Sequence, residues 1–302
     1  MTKSTFWGFQ KCGRVIAHRE RQSSGYCSKG QKHFSFGFPV GLGAIPKGKW
    51  LKAVMPGAAT VDNYLQSIYR DHTGEPTSNA KRLFITIKHP FVALAALGYI
   101  SRFPVVKVRV SRSERSTARW LYSVRRPWRL NGFVLSYIEL PSPLQHYWQG
   151  PSKQNLRTRT SQARAAGLTV RPVSGPEIRN VISQVFKDKG WKAREIDDDL
   201  RRAAHRKLSE SLEDAICVGV FDPSDHVVGF CLGTQSGDAV RTLWSISSQK
   251  GAVRWLCFTG FVQEASARGA RFIVEEPPWA FRGGNQIFAG HLGFVPARIR
   301  IA

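Results

Sequence analysis

A mixed α/β fold, a sheet flanked by helices, follows from three observations. The stretch Val240 to Phe294 reads as strand, glycine turn, long helix, strand and short helix. Short apolar runs such as Val105–Val110 (VVKVRV) have strand length and period, whereas Ala252–Arg268 has helix length. A chain of 302 residues that is 42% hydrophobic can also bury one large core or two ordinary ones.

Residues 1–50 are rich in Gly, Ser, Lys and aromatics without periodicity, which suits an irregular basic extension. Val61–Arg70 has helical spacing, with Val61, Tyr64, Leu65 and Ile68 on one face. Lys81–Lys88 reads as a strand and Phe91–Tyr99 as a short buried helix, separated at His89-Pro90. Val105–Val110, Ala118–Val124 and Phe133–Leu140 read as three antiparallel strands. A helix over Pro143–Ala166 ends at Gly167 and leads into a strand, Leu168–Val173. Helices follow at Glu177–Lys187 and Asp199–Leu212, the second capped by Asp197 or Asp198. Then come strands Ala215–Val220, Val227–Gln235 and Ala239–Ser247, the helix Ala252–Arg268 closed by Gly269, and the strand Arg271–Glu276. Three strands, a helix and a strand thus occur twice, which reads as a degenerate duplication. The expected division is 1–50, 51–167 and 168–302.

Charge is the dominant bias: 45 Lys plus Arg against 21 Asp plus Glu, a net +24. Either an anionic partner or a generally basic solvated surface accounts for it. The five cysteines are odd in number, and Cys217, Cys231 and Cys257 lie on apolar patterns, which suits reduced, buried thiols in a cytoplasmic protein. The start Met1-Thr2-Lys3-Ser4 lacks a secretory apolar core, and the longest apolar run, Phe91–Ile100, is about half of what a bilayer span needs, so no transmembrane segment is expected.

Two patterns are set aside. Gly43 to Lys49 has the glycine–lysine spacing of a P-loop, but Trp50 stands where a magnesium-binding Ser or Thr belongs. Cys12, His18, Cys27 and His33 are spaced unlike common zinc sites, and no metal is expected. No G-x-S-x-G elbow supports a serine hydrolase.

Chemistry concentrates after Val240. The turn Ser248, Gln249, Lys250, Gly251, Ala252, Val253 opens directly onto a helix, where unpaired N–H groups and the helix dipole favour a pyrophosphate. Glu275 and Glu276 close the next strand, and side-chain alternation lets only one of them face a cleft as a base. These residues resemble the GNAT superfamily of acyl-CoA-dependent N-acyltransferases, from Leu168-Thr169-Val170-Arg171-Pro172-Val173 to Phe294-Val295-Pro296-Ala297-Arg298. Of that family's pyrophosphate motif, Ser248, Gly251 and Val253 hold the matching positions and Gly251 fits. His291-Leu292-Gly293-Phe294 resembles the terminal Leu-Gly-Phe, with Ala289 in the place of the usual tyrosine and Phe288 beside it. Upstream, Ser152 to Arg159, followed by Ala163 and Gly167, resembles the Fem-type aminoacyl-tRNA-dependent transferases, which are built from two GNAT-like halves.

The resemblance implies that the acyl carbonyl lies where two central strands splay, Trp244–Ser247 facing Val274–Glu276. It makes Glu276 or Glu275 the base and His291 a proton donor to the leaving thiolate. Asn285, in a turn with Arg282, approaches the donor, while Trp191, Trp244 and Ser247 border the acceptor. Three functions stand open: transfer of an acyl group, by resemblance acetyl, from acyl-CoA (acetyl-CoA) to an amine of a small molecule or peptide; aminoacyl transfer from tRNA; and non-catalytic nucleic-acid binding. In the second and third, Lys153, Arg157, Arg159 and Arg164 form the phosphate-tracking helix face.

Overall fold

The computed structural model describes residues 57–69, 77–111, 117–118, 120–121, 134–175, 177–190, 215–249, 251–281 and 283–302. The elements are α1 (Ala58–Tyr69), α2 (Asn79–Lys88), α3 (Pro90–Ser101), β1 (Val105–Val108), β2 (Leu135–Glu139), α4 (Gln154–Ala165), β3 (Thr169–Val173) and α5 (Glu177–Asp188). After them come β4 (Ala215–Phe221), β5 (Val227–Ser236), β6 (Ala239–Ser247), α6 (Val253–Ala267), β7 (Phe272–Glu275), α7 (Gly283–Leu292) and β8 (Val295–Ile301). The eight strands form one mixed sheet in the order β1-β8-β2-β7-β6-β5-β4-β3. Strands β3 to β6 are an antiparallel run, β6 and β7 are parallel, and β2 lies antiparallel between β7 and β8.

The sheet is covered on both faces. On one, α6 packs through Leu256, Phe258, Phe261 and Ala265 against Ile216, Val218, Cys231, Val240 and Ile273. Helix α6 is apolar nearly all round because α4 and α7 cover its outer side, with Leu156, Ala163, Phe288 and Leu292 in the same cluster. On the other face α5 packs Ile178, Val181, Ile182, Val185 and Phe186 against Cys217, Phe230 and Leu232. Helices α1 to α3 share a separate cluster with Trp279, whose ring stacks on Tyr69 and whose indole N–H donates to Asp62 at 3.3 Å. The three cysteines of β4, β5 and α6 are free and buried, as their apolar surroundings suggested.

Several sequence expectations are corrected. Lys81–Lys88 is the helix α2 rather than a strand: the Ser78 side chain caps it by accepting from the Lys81 N–H, and Thr86 faces the Tyr64 hydroxyl on α1 at 3.2 Å. The β-branched run Ile85-Thr86-Ile87 is overruled by that cap and that contact. Ala118–Val124 is not a strand where it is described, since Thr117–Ala118 and Trp120–Leu121 are helical; its remainder lies outside the described residues. β1 and β2 are not neighbours in an antiparallel set, because β8 separates them and pairs with β1 in parallel. The helix expected over Pro143–Ala166 is two 3-10 turns, Leu144–Trp148 and Pro151–Lys153, followed by α4. The break falls at Gly150, whose φ of 87° leaves helical space, and at Pro151, which has no N–H to donate. Helix α3 exists as expected but is not buried: of its residues only Ala96 and Ile100 are. The helix Asp199–Leu212, the Cys12–His33 array and the Gly43–Lys49 turn lie outside the described residues.

Gly260 shows how closely α6 approaches the sheet. A Cβ built there would lie 2.5 Å from Val170 Cγ2 and 2.9 Å from Val218 Cγ1. Alanine would raise local helix propensity by about 1 kcal/mol, yet overpacking two branched side chains costs about 1–3 kcal/mol. Gly260→Ala is therefore expected to destabilise the protein in urea unfolding, and a neutral or stabilising result would contradict the packing described.

Candidate active site

Where β6 and β7 part, the fold opens. Their parallel pairing holds for three rungs only, Ala239 with Phe272, Val240 with Ile273 and Arg241 with Val274. Beyond Arg241, β6 continues to Ser247 bonded to β5 alone, through a register shift at Leu232/Gly233 that leaves Leu243 as an extra residue. On the far strand, Glu276-Pro277-Pro278 ends β7, because proline has no N–H to continue a ladder.

Alternation then sorts the two glutamates. Val274 lies in the cluster with Ala239 and Trp120, whereas Ile273 lies under α6. Glu275 therefore points to the α6 face and Glu276 away from it. Glu276 Oε1 accepts from Arg241 Nη2 at 2.9 Å, and the buried Arg241 guanidinium lies 3.8 Å from the Trp120 ring centre. Burial lowers Arg241 to about 10, with Glu276 opposing. Glu276 is a partner for a buried cation, and its carboxylate is engaged.

Glu275 is in the other situation. Desolvation raises its carboxyl to about 7, while the Thr242 hydroxyl and the Arg254 charge pull it down and Glu276 pushes it up. Thr242 Oγ1 sits beside that carboxyl without a hydrogen bond of ordinary geometry, and Ser245 Oγ and Arg254 Nε are buried with no partner among the described residues. Arg254, in the first turn of α6, donates through Nη1 to Asn285 Oδ1 at 2.8 Å, and its guanidinium lies 4.1 Å from the Phe288 ring centre. Three unsatisfied polar atoms and a half-ionised carboxyl at one strand parting are unusual in a protein interior, where such groups are nearly always paired.

The turn before α6 has the properties of an anion cradle. Ser248 is spent on the fold, its N–H and its Oγ both donating to Val228 O, and Ser247 Oγ donates to Gln249 O. Gly251 has φ of 101° and nothing within 4 Å of a built Cβ, so its backbone stands open. Ala252 supplies no side-chain cap, and no acidic residue lies in the first turn of α6. The Trp255 and Leu256 N–H groups donate to Ala252 O, and the Val253 and Arg254 N–H groups before them have no acceptor among the described residues. Val253 itself is core, buried against Gly229. Lys250 lies outside the described residues, as do Arg282 and Trp191.

The remaining sequence candidates are placed as follows. Asn285 lies at the α6 start, where its Oδ1 accepts from Arg254. Trp244 faces α5, packed edge to face against Phe186 and Phe230, on the sheet face opposite Glu275. His291 stacks at a tilt 5.8 Å from Trp255, with the Asn155 amide 3.3 Å from its ring. The adjacent Leu-Gly-Phe closes α7: Gly293 takes a φ of 90°, Phe294 N–H donates to Ala289 O, and the Leu292 carbonyl accepts from both Tyr147 Oη and Lys153 Nζ. Phe288 and Ala289, where the resemblance leads one to expect tyrosine, are core.

The basic face of α4 is only partly free. Lys153 is half-buried over the Tyr147 ring and lowered to about 8 by desolvation, and Arg157 donates to the Trp148 and Gly150 carbonyls. Arg159 bonds Gln162, and Arg164 is exposed. Thr242, Ser245 and Arg254 were not among the sequence candidates. Arg254 carried a signal, since a cation in the first turn opposes the helix dipole and calls for a compensating partner.

No family model and no curated protein matches this chain. Solved structures similar to it include L-PGS from Bacillus licheniformis, at 12% identity over 54% of this chain and 57% of that one, with a TM-score of 0.40. FemX matches at 11% identity over 55% and 59%, with a TM-score of 0.42. A tandem GNAT protein from the clavulanic acid biosynthesis pathway matches at 10% identity over 75% and 69%, with a TM-score of 0.36. The chain spans less than two thirds of the length of the first two. At these identities the likeness is one of fold alone.

Proposed function

We propose that this protein transfers an acyl group from an acyl-CoA to an amine. The observation that carries the reading is the parting of β6 and β7 with the Glu275 carboxyl at its apex and the uncapped start of α6 beside it. A thioester in the parting has its pyrophosphate over Gly251 and the first-turn N–H groups, which offer donors and no repelling carboxylate. The residues present fit that group, because a backbone with open space at Gly251 admits phosphate oxygens that a side chain would exclude.

The amine nitrogen attacks the thioester carbonyl, a C–N bond forms, the C–S bond breaks, and the amine proton passes to Glu275. A carboxyl at about 7 is matched to that task near neutral pH, where a substantial fraction is ionised and the protonated form is still a useful acid. Unsatisfied Thr242 and Ser245 hydroxyls in the parting can orient the reacting groups. Departing thiolate takes a proton from solvent or from the protonated Glu275. Positioning and proton transfer supply the rate enhancement.

Gly251→Asp is expected to abolish CoA binding in calorimetry, since it adds bulk and a negative charge at the anion cradle. Gly251→Ala shares the strained φ without the charge and separates the two causes. Donor binding unchanged in the aspartate variant would remove this turn from the site.

Glu275→Gln is expected to lower kcat about 10²- to 10⁴-fold with donor affinity retained, while Glu276→Gln acts chiefly on stability through Arg241. The kcat/KM of the parent should rise with pH as Glu275 ionises near 7, and this limb should vanish in Glu275→Gln. Equal activity of parent and Glu275→Gln across that range would exclude the carboxylate as base.

The same shift has a stability signature. A carboxyl held above its unfolded value binds its proton more tightly when folded, so stability is fullest below the unfolded value of 4.5 and falls as pH rises toward about 7. Glu275→Gln should therefore melt higher than the parent at mildly alkaline pH and lose this advantage in acid. A constant difference in melting temperature across that window would show that Glu275 does not titrate as described.

A further inference from the structure

Helix α3, PFVALAALGYIS, has no charged side chain and is apolar all round its circumference. A helix of that composition is normally enclosed on every side or set in a membrane. Here one face meets α1 and the other does not. Phe91, Leu94 and Leu97 are 70, 65 and 44% exposed. The preceding helix repeats the arrangement: Ile85 and Thr86 face the body, while Leu83, Phe84 and Ile87 on the opposite side are 62, 65 and 69% exposed. Six large apolar side chains between Leu83 and Leu97 are far beyond the scattered exposed leucine of an ordinary surface.

Length and angle decide how such a pair can meet lipid. Helices of 10 and 12 residues are about 15 and 18 Å long, short of the roughly 30 Å hydrocarbon core. They bend by 103° at His89, and among the described residues no single helix is long and apolar enough to cross a membrane. Only the two together have the length and composition of a span, and a bend of 103° with Lys81, Arg82 and Lys88 on the first arm suits the headgroup plane better than a crossing.

Charge selects the occupant. From Pro76 to Arg112 the chain has seven lysines and arginines and no aspartate or glutamate. Lys81 and Lys88 are exposed beside the apolar face, and their long stems let the ammonium groups reach phosphate while the stem lies on acyl chain. A second copy would bring this positive segment against itself. Residues 1–56 of the same chain, with ten basic residues and one acidic, are no better matched. We propose that α2 and α3 form a docking face for an anionic lipid surface, seated on the outer sides of Phe84, Ile87, Phe91 and Leu94 with Lys81 and Lys88 at the headgroups.

The test is co-sedimentation of the full chain with vesicles of phosphatidylserine mixed with phosphatidylcholine, and with phosphatidylcholine alone. Parent protein should bind the anionic vesicles and bind neutral ones more weakly. The triple variant Phe84→Ser, Ile87→Ser, Phe91→Ser should lose affinity about tenfold or more by removing apolar area from the contact. Lys81→Gln with Lys88→Gln should lose about fivefold for each lysine and show a shallower salt dependence. All six of the exposed apolar positions lie outside the core clusters, so circular dichroism and melting of the variants should match the parent. Failure of the parent to bind anionic vesicles would overturn the proposal. So would undiminished binding by a folded triple variant. A parent dimer in light scattering that the triple substitution splits, without vesicle binding, would assign the face to a second copy instead.

Discussion

Proline cannot donate to a neighbouring strand, and Pro277-Pro278 therefore sets where the ladder between β6 and β7 must stop. On the opposite strand the extra residue Leu243 bends β6 away at the same level. Two independent local devices, a missing donor and a bulge, make one opening in the middle of the sheet. The depth of that opening decides that Glu275, the last residue of β7, sits at its base instead of in solvent. Continuous pairing would have buried Thr242 opposite Glu275 in a ladder and closed the space between them. The buried hydroxyls of Thr242 and Ser245 lie along the part of β6 that has no neighbour on this side.

The second half of the chain was legible because its signals are local and long. β6 has the bounds its apolar run suggests, and α6 begins one residue inside its expected start, since glycine and small residues bracket each run. The first half was less so. RLFITIK has the composition of a strand, and only the Ser78 cap and the Tyr64 contact across 22 residues make it helical. The pair Glu275-Glu276 shows the same limit at the site. Alternation says that the two face opposite ways, but which one faces α6 depends on the register of β7 against β6, a quantity carried by neither residue. Thr242 was invisible for a related reason: it is unremarkable on its own strand and acquires meaning only beside Glu275, whereas Arg254 carried a signal in its place on the first helical turn but not the identity of its partner.

The basic composition resolves into several jobs. Arg241 is a buried counter-charge for Glu276 and lies against Trp120, and Arg254 is shared among Asn285, Phe288 and the Glu275 carboxyl. Lys153 donates to the Leu292 carbonyl at the end of α7, and Arg157 to the Trp148 and Gly150 carbonyls before α4. A nucleic acid tracking along α4 would have to compete for two cations already engaged, whereas Arg159, which bonds Gln162, and Arg164 remain at its surface. Net charge counted on the sequence thus overstates what that helix offers to an anion.

The placement of β2 has a consequence for how the chain can be divided. β2 is inserted between β7 and β8, and β8 bonds only to β1 and β2. A fragment beginning at Leu168 would therefore keep the antiparallel strands β3 to β6 and the parallel join to β7, yet present β7 with a bare edge. Its β8 would have no hydrogen-bonded neighbour at all. Open edges of this kind invite pairing with other chains. Strand β8 is in effect held by residues laid down long before it, so synthesis must pass Ile301 before the sheet has a proper border.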